Sequence, residues 1–382
     1  MSEVPTCEKT TISVLIIEDE EIQIEAIQDA IDDFNDDSVD FQIFCEFSKS
    51  FNESLKLLLT NDFDATIIDL NLDQTATEPS DLDGNKLVDI IVNKIRVPII
   101  IRTGYPTQFS SEKIDESNSF LKIYKKTDSI DEIIQEIVQW YGIGLTSTLG
   151  TKGILESGLN KLFWEQISKN LNEWEKSKED SKEQEKSLLR YTLNVLQSYL
   201  EVDLDSGKYE NFHPAEVYIK PPIKQDLFFG DILKRSGNEY FLILTPSCEM
   251  AQGKYKKILL SRILNHEDLE EFKQARTGYI QNQSNSKRSA LEKWFRNGHD
   301  NSLGYHFLPS YSDFPGGFID FQDVVSLSQE SVIAEYEKIA TITNQFAKDI
   351  SSRFTLYYAR QGQPNLNSDL IIKMLCGELQ TT

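Results

Sequence analysis

The chain has 382 residues, with 39 Lys and Arg against 62 Asp and Glu, and a formal net charge of −23 at pH 7. That length suits two or three domains of about 100–200 residues each, and the acidic balance argues against a strongly basic nucleic-acid binder. No apolar run reaches the ~18 residues of a membrane-spanning helix, and Met1 to Lys9 lacks the basic-then-apolar order of a secretory signal. Four scattered cysteines (Cys7, Cys45, Cys248, Cys376) fit reduced thiols in a cytoplasm, with no disulfide or zinc framework. The charge is uneven: residues 1–142 hold 11 basic against 30 acidic residues, and the rest 28 against 32. The acidic excess serves solubility. Without a clear basic patch, DNA binding is disfavoured.

Residues 1–11 are polar and read as a flexible N-terminus. Ser13 to Ile17 is an apolar strand ending in Glu18, Asp19 and Glu20. Ile22, Ala26, Ile27, Ala30, Ile31 and Phe34 recur at helical spacing. Phe41 to Cys45 alternates as a second strand, and Ser48 opens a helix carrying Phe51, Leu55, Leu58 and Leu59. Ala65 to Ile68 is a short buried strand closed by Asp69, and a long polar loop, Asp73 to Asp83, follows. Gly84 opens a helix with Leu87, Ile90 and Ile91. Pro98 to Arg102 is a strand ending in Thr103 and Gly104. Tyr105 to Ser117 has few apolar residues, so a fourth helix there is short or mobile. Phe120 to Lys126 is the last strand, and Asp128 caps a helix with Ile130, Ile133, Ile134 and Ile137.

Strands alternating with helices predict a doubly wound α/β sheet with its chemistry at the strand C-termini. Asp69 alone is as readily a turn carboxylate. With its neighbours, it belongs to a set of three carboxylates, a hydroxyl and an amine on adjacent strand tips, which can hold a divalent cation and a phosphoryl group.

In order and spacing, these strand ends resemble the receiver domain of two-component response regulators, over residues 12–142. The resemblance implies a (βα)5 doubly wound receiver domain with Asp69 as phosphoacceptor. It implies Mg2+ held by Glu18, Asp19, Asp69 and the backbone carbonyl of Asn71, with Thr103 and Lys125 contacting the phosphoryl group. Lys125 is preferred to Lys126 because Asp128 lies three residues beyond it. A sensor histidine kinase would supply the phosphoryl group, which the carboxylate takes as an acyl phosphate. Three departures stand out. The loop after Asp69 is lengthened and its proline displaced to Pro79. Lys126 replaces the proline that follows the family's lysine. Lys122 occupies the place of a switch Tyr or Phe.

Residues 143–205 read as a helical linker. One apolar stripe runs through Leu159, Leu162, Phe163, Ile167 and Leu171, and another through Leu188, Leu189, Tyr191, Leu193, Leu196 and Leu200. Between them, Glu173 to Lys186 is densely charged. The two helices could form a dimerisation hairpin, giving a homodimer, or the first layer of the next domain. Residues 206–382 read as an α+β module. Strands are expected at Ala215 to Ile219, Gly230 to Leu233, Tyr240 to Leu244, Lys257 to Ser261, Tyr305 to Leu308 and Gly317 to Phe321, with a turn at Ser236-Gly237-Asn238. This texture resembles the small SH3-like barrel of the MazF/PemK toxin family, without equivalents of its catalytic arginine and threonine. Residues 265–300 are mainly helical, with a basic patch at Lys287, Arg288, Lys293 and Arg296. A helix is expected from Ser328 to Phe354, then a turn from Arg360 to Pro364 and a helical tail.

Cys248, Glu249, His213, His306 and Asp320 could supply a nucleophilic set. Thr245 to Cys248 reads equally as a strand-ending turn with a buried thiol. Three functions are open. The first is a response regulator with a protein-binding C-terminal module, doing no chemistry beyond aspartyl phosphoacceptance and autodephosphorylation. Its architecture resembles the receiver-bearing phosphate-buffer component of Detocs-type antiphage systems, which implies a cytoplasmic sink for stray phosphoryl groups. The second is a receiver-gated nuclease or hydrolase. The third is RNA binding through the Lys287 to Arg296 patch.

Overall fold

The computed structural model describes residues 9–72, 82–111, 113–150, 153–170, 172, 174, 181–201, 207–208, 211–296, 303–360 and 364–376. Most of the lengthened loop after Asp69, residues 73–81, therefore lies outside the described residues, as do Cys7 and most of the charged run before Ser181. The chain divides into two compact units, Met1–Glu210 and Asn211–Thr382. Among the described residues no helix is long and apolar enough to cross a membrane.

The first unit opens with β1 (Thr10–Ile17), α1 (Glu21–Asp37), β2 (Phe41–Ser48), α2 (Phe51–Thr60), β3 (Ala65–Ile68) and α3 (Asp83–Lys94). It continues with β4 (Ile99–Thr103), β5 (Leu121–Lys125) and α4 (Ile130–Gly142). All strand pairs are parallel, in the order β2-β1-β3-β4-β5. Alternation splits the apolar side chains between two faces. Ile12, Val14 and Ile16 of β1 pack with Ile27 and Ile31 of α1 and Ile133, Ile137 and Trp140 of α4. Leu15 and Ile17 face the other way, onto Leu58 of α2 and Leu87, Val88 and Ile91 of α3. Burial on both faces explains the near-continuous apolar strands. This parallel five-stranded sheet with helices on both faces is the doubly wound α/β arrangement expected from the sequence, with four of its five helices among the described residues. Between β4 and β5 the described residues hold only a 3-10 turn, Pro106–Gln108, where the sequence has too few apolar residues for a packed helix.

Beyond α4, α5 (Leu145–Leu149) and α6 (Ile154–Leu162) return to the far end of the sheet. Thr146 donates to Asp64 Oδ1 at 2.7 Å, and Arg96 pairs with Glu156 at 2.7 Å. A π-helical turn (Phe163–Ile167) follows, then α7 (Ser181–Leu200), which folds back as a hairpin. Trp174 and Tyr191 rings meet at 5.3 Å, and a side chain at Gly158 would touch Leu196.

The second unit is an antiparallel seven-stranded sheet, ordered β10-β11-β9-β8-β7-β12-β6. Its strands are β6 (Tyr218–Ile219), β7 (Asp231–Arg235), β8 (Glu239–Ile243), β9 (Ile258–Leu264), β10 (Tyr305–Leu308), β11 (Gly317–Leu327) and β12 (Tyr336–Ile342). Its helices are α8 (Ser247–Ala251), α9 (Glu270–Gln281), α10 (Asn285–Phe295), α11 (Gln329–Glu335), α12 (Asn344–Ala359) and α13 (Ser368–Leu375). Gly237 and Asn238, both at positive φ, make the expected turn between β7 and β8. The sheet curls until the Tyr218 hydroxyl of β6 reaches the Pro309 carbonyl beyond β10, at 2.6 Å. The pairing is that of an open, curled sheet and does not establish an SH3-like barrel.

Two expectations are corrected. The single helix from Ser328 to Phe354 is α11, β12 and α12. Ile339, Thr341 and Ile342 are β-branched, and β12 fills the slot between β7 and β6, so sheet pairing outweighs the helical spacing. The strand from Ala215 to Ile219 shrinks to Tyr218–Ile219, because His213 and Glu216 form a capping box around a 3-10 turn starting at Pro214.

Candidate functional site

Four parallel strands end together, and their ends carry the polar groups. The Asp69 amide donates to the Ile17 carbonyl at 2.9 Å, which sets the tips of β1 and β3 side by side. Glu18, Asp69 and Thr103 are almost wholly buried, at 3%, 4% and 1% exposure. Carboxylate oxygens of Glu18, Asp19 and Asp69 lie within 4.8 Å of one another. Among the described residues this is the one group of three or more His, Cys, Asp or Glu side chains placed to hold a metal ion.

Gly84 makes this packing feasible. Its amide donates to the Leu70 carbonyl at 3.1 Å, and a Cβ there would stand 2.5 Å from the Asp69 carbonyl oxygen and the Leu70 Cα. The start of α3 is thus pressed directly against the backbone that carries Asp69.

The lysine of the site is Lys126, and Lys125 is corrected to a solvent-facing residue. Lys126 Nζ lies 2.9 Å from Asp69 Oδ2, 3.0 Å from Glu18 Oε1 and 3.3 Å from Glu20 Oε1. Asp128 does not cap α4, which starts at Ile130 after Ser129. Its carboxylate accepts from the Lys125 amide at 2.7 Å and clasps the turn after β5. Lys125 is held there by its backbone, in register with Thr103, and the next residue enters the site. The same shift moves the position three residues before the lysine from Lys122 to Ile123, a half-buried residue packed on the α3 face. Lys122 instead pairs with Glu136 of α4 at 3.7 Å.

The electrostatics describe a site poised for cations. Burial, reinforced by Asp69, raises the Glu18 carboxyl above its ordinary range despite the Lys126 hydrogen bond. Asp19 is raised for the same reason, burial first. Burial works against the Lys126 ammonium, but hydrogen bonds to Asp69 and Glu18 hold it above its ordinary value. Asp69 Oδ1 is buried without a hydrogen-bond partner. An all-oxygen donor set with a bare carboxylate oxygen fits a hard divalent cation such as Mg2+.

Arg102 belongs to the same neighbourhood and carries no signal in the sequence beyond lying next to Thr103. It is 3% exposed, donates to Gln23 Oε1 of α1 and to the Lys126 carbonyl, both at 2.8 Å, and so braces the backbone of Lys126. Burial lowers its guanidinium, against the pull of Glu18 and Asp69.

The candidates of the second unit are not brought together. His213 caps the turn before β6, accepting from the Ala215 amide, and Cys248 is exposed in α8. His306 is buried in β10, with Nδ1 3.8 Å from Asp349. It pairs in register with Ile319, so its side chain lies on the opposite sheet face from Asp320. The basic patch is partly neutralised, since Arg288 and Arg296 both pair with Glu292.

No family model and no curated protein matches the chain. Among solved structures it is similar to the receiver domain of a Francisella response regulator, with 21% identity over 35% of this chain and 98% of that one, TM-score 0.26. It is also similar to the signal receiver domain of an HD domain-containing protein from Pseudomonas fluorescens Pf-5, with 15% identity over 35% of this chain and 96% of that one, TM-score 0.25. The non-phosphorylated HemR receiver domain from Leptospira biflexa gives 18% identity over 34% of this chain and 93% of that one, TM-score 0.24.

Proposed function

We propose that the first unit is a response-regulator receiver that accepts a phosphoryl group on Asp69 from a sensor histidine kinase. The observation that carries this reading is the contact of Lys126 with Asp69 and Glu18 at the ends of a parallel sheet ordered β2-β1-β3-β4-β5. In this reading an Asp69 carboxylate oxygen attacks phosphorus, and the donor's leaving group departs as the acyl phosphate forms. Lys126 moves from its carboxylate partners toward the incoming phosphoryl oxygens, and Thr103 donates its hydroxyl to another. Glu18, Asp19 and Asp69, with the carbonyl of Asn71, would hold Mg2+, which supplies further charge neutralisation when bound.

The second unit is then an interaction module. The separated Cys248, His213, His306 and Asp320 give no support to an effector enzyme. The role of a phosphate sink in antiphage defence rests on the resemblance of the whole chain to the Detocs buffer component.

The test is intact-mass measurement after incubation with Mg2+ and acetyl phosphate. Wild type gains one phosphoryl group and Asp69→Ala gains none. An adduct of equal yield on Asp69→Ala removes the assignment.

A further inference from the structure

Helix α7 has no buried residue along its 20 positions, although it is rich in leucine. Its apolar residues fall on two separate stripes. One stripe, with Tyr191 and Tyr199, faces the rest of the hairpin: Tyr191 meets Trp174, and the Tyr199 ring lies under Lys161. The other carries Leu189, Leu193 and Leu200, which are 60%, 57% and 70% exposed. At 100° per residue these three lie within a wedge of about 40°. Half-buried Leu196 sits at the edge between the stripes.

The spacing of Leu189, Leu193, Leu196 and Leu200 is four, three, four, which is the a/d repeat of a coiled coil. A seam of this kind is built for another helix. The charges indicate which one. With Leu189 at d and Leu193 at a, Glu185 takes position g and Arg190 position e. In a parallel pair of identical helices, g of one chain meets the following e of the other. Glu185 then faces the partner's Arg190, and two-fold symmetry makes the pair twice. Lys186 falls at an a position, where a single lysine sets register at some cost in stability. From Tyr191 to Leu200 the helix has no charged side chain. In a chain of net charge −23, such a surface lets two copies meet without acidic repulsion.

We propose that α7 pairs in parallel with α7 of a second copy of this chain, through the Leu189, Leu193, Leu196 and Leu200 seam flanked by Glu185 and Arg190. The hairpin that follows the receiver is then a dimerisation element. This is independent of the Asp69 reading, and Asp69→Ala leaves it unchanged.

The test is the mass in solution of the full chain, by sedimentation equilibrium from about 1 to about 100 µM. The wild type is expected at twice the chain mass in the upper part of this range. Leu189→Gln with Leu193→Gln, which alter exposed side chains only, should raise the dissociation constant at least about tenfold. Glu185→Arg or Arg190→Glu alone should weaken the dimer about threefold to tenfold, and the two together should restore it. Unchanged thermal unfolding of the variants at low concentration separates lost pairing from lost folding. A wild type that stays at the mass of one chain throughout overturns the proposal. So does a dimer indifferent to the leucine changes, or a double charge reversal that fails to rescue.

Discussion

Replacing Lys126 by Met removes the one ammonium that meets Asp69, Glu18 and Glu20 together. The Lys126 side chain is 13% exposed and those of Asp69 and Glu18 are 4% and 3% exposed, so solvent replaces little of what is lost. Removing one partner from a buried ion pair costs about 3–5 kcal/mol in stability. Here the loss falls at the low end, because a bound cation can substitute for the ammonium between the carboxylates. The effect on chemistry is larger in proportion. Losing one preorganised donor to developing charge costs about 100- to 1000-fold in rate. Lys126→Met should therefore slow phosphoryl uptake from acetyl phosphate by about that factor, at saturating Mg2+. Lys125→Met, whose side chain faces solvent, should stay within about twofold, as exposed substitutions do. A time course of intact mass measures both. Full activity in Lys126→Met, or equal damage from Lys125→Met, refutes the placement of the lysine.

Glu18→Gln keeps an acceptor for Lys126 and removes a carboxylate whose charge burial disfavours. Its melting temperature without Mg2+ should equal or exceed that of wild type, while the stabilisation that Mg2+ gives the wild type, about 2.7 kcal/mol at a hundredfold excess over Kd, should vanish. Gly84→Ala drives a methyl into the Asp69 and Leu70 backbone, so a loss of about 1–3 kcal/mol is expected in urea unfolding, with slower phosphorylation. Arg102→Met releases the Lys126 carbonyl and should reduce the phosphorylation rate about tenfold, with unchanged phosphorylation contradicting its bracing role. His306 is pushed down to about 3 by burial and Arg353, so the folded chain leaves it neutral where the unfolded chain protonates it. Stability therefore falls as pH drops below the ordinary histidine value of about 6.5, by about 2 kcal/mol at pH 5. His306→Asn should lack this share of the acid loss when unfolding is compared at pH 7 and pH 5.

Much of the first unit was legible because its strands are buried on both faces and its helices carry wide apolar stripes. Ile12 to Ile17, Ala65 to Ile68 and Ile99 to Ile101 leave little choice but parallel strands, and the polar residues closing them mark the tips. Glu18, Asp19, Asp69 and Thr103 are at those tips. The sequence points to Lys125, one residue early, because Asp128 resembles a helix cap, whereas it clasps the turn through the Lys125 amide. Arg102 carries no signal in the sequence because its role depends on reaching Gln23 and the Lys126 carbonyl, partners far away in the chain. In the second unit, Ile339 to Ile342 suits helix or strand, and only the vacant slot beside β7 decides it. The Cys, His and Asp residues there look like a catalytic set in composition alone: sheet face separates His306 from Asp320, Cys248 is exposed in α8, and among the described residues no three of them cluster.

If Asp69 is the phosphoacceptor, the phosphoryl adduct sits on its side chain, and peptide mapping locates it. The wild-type chain would be phosphorylated with acetyl phosphate and Mg2+, digested, and its peptides sequenced by mass before and after hydroxylamine. A single hydroxylamine-labile phosphoryl group is expected on the peptide containing Asp69, absent when Mg2+ is withheld. A stable adduct on a serine, threonine or histidine, or a labile one on another carboxylate, would contradict it.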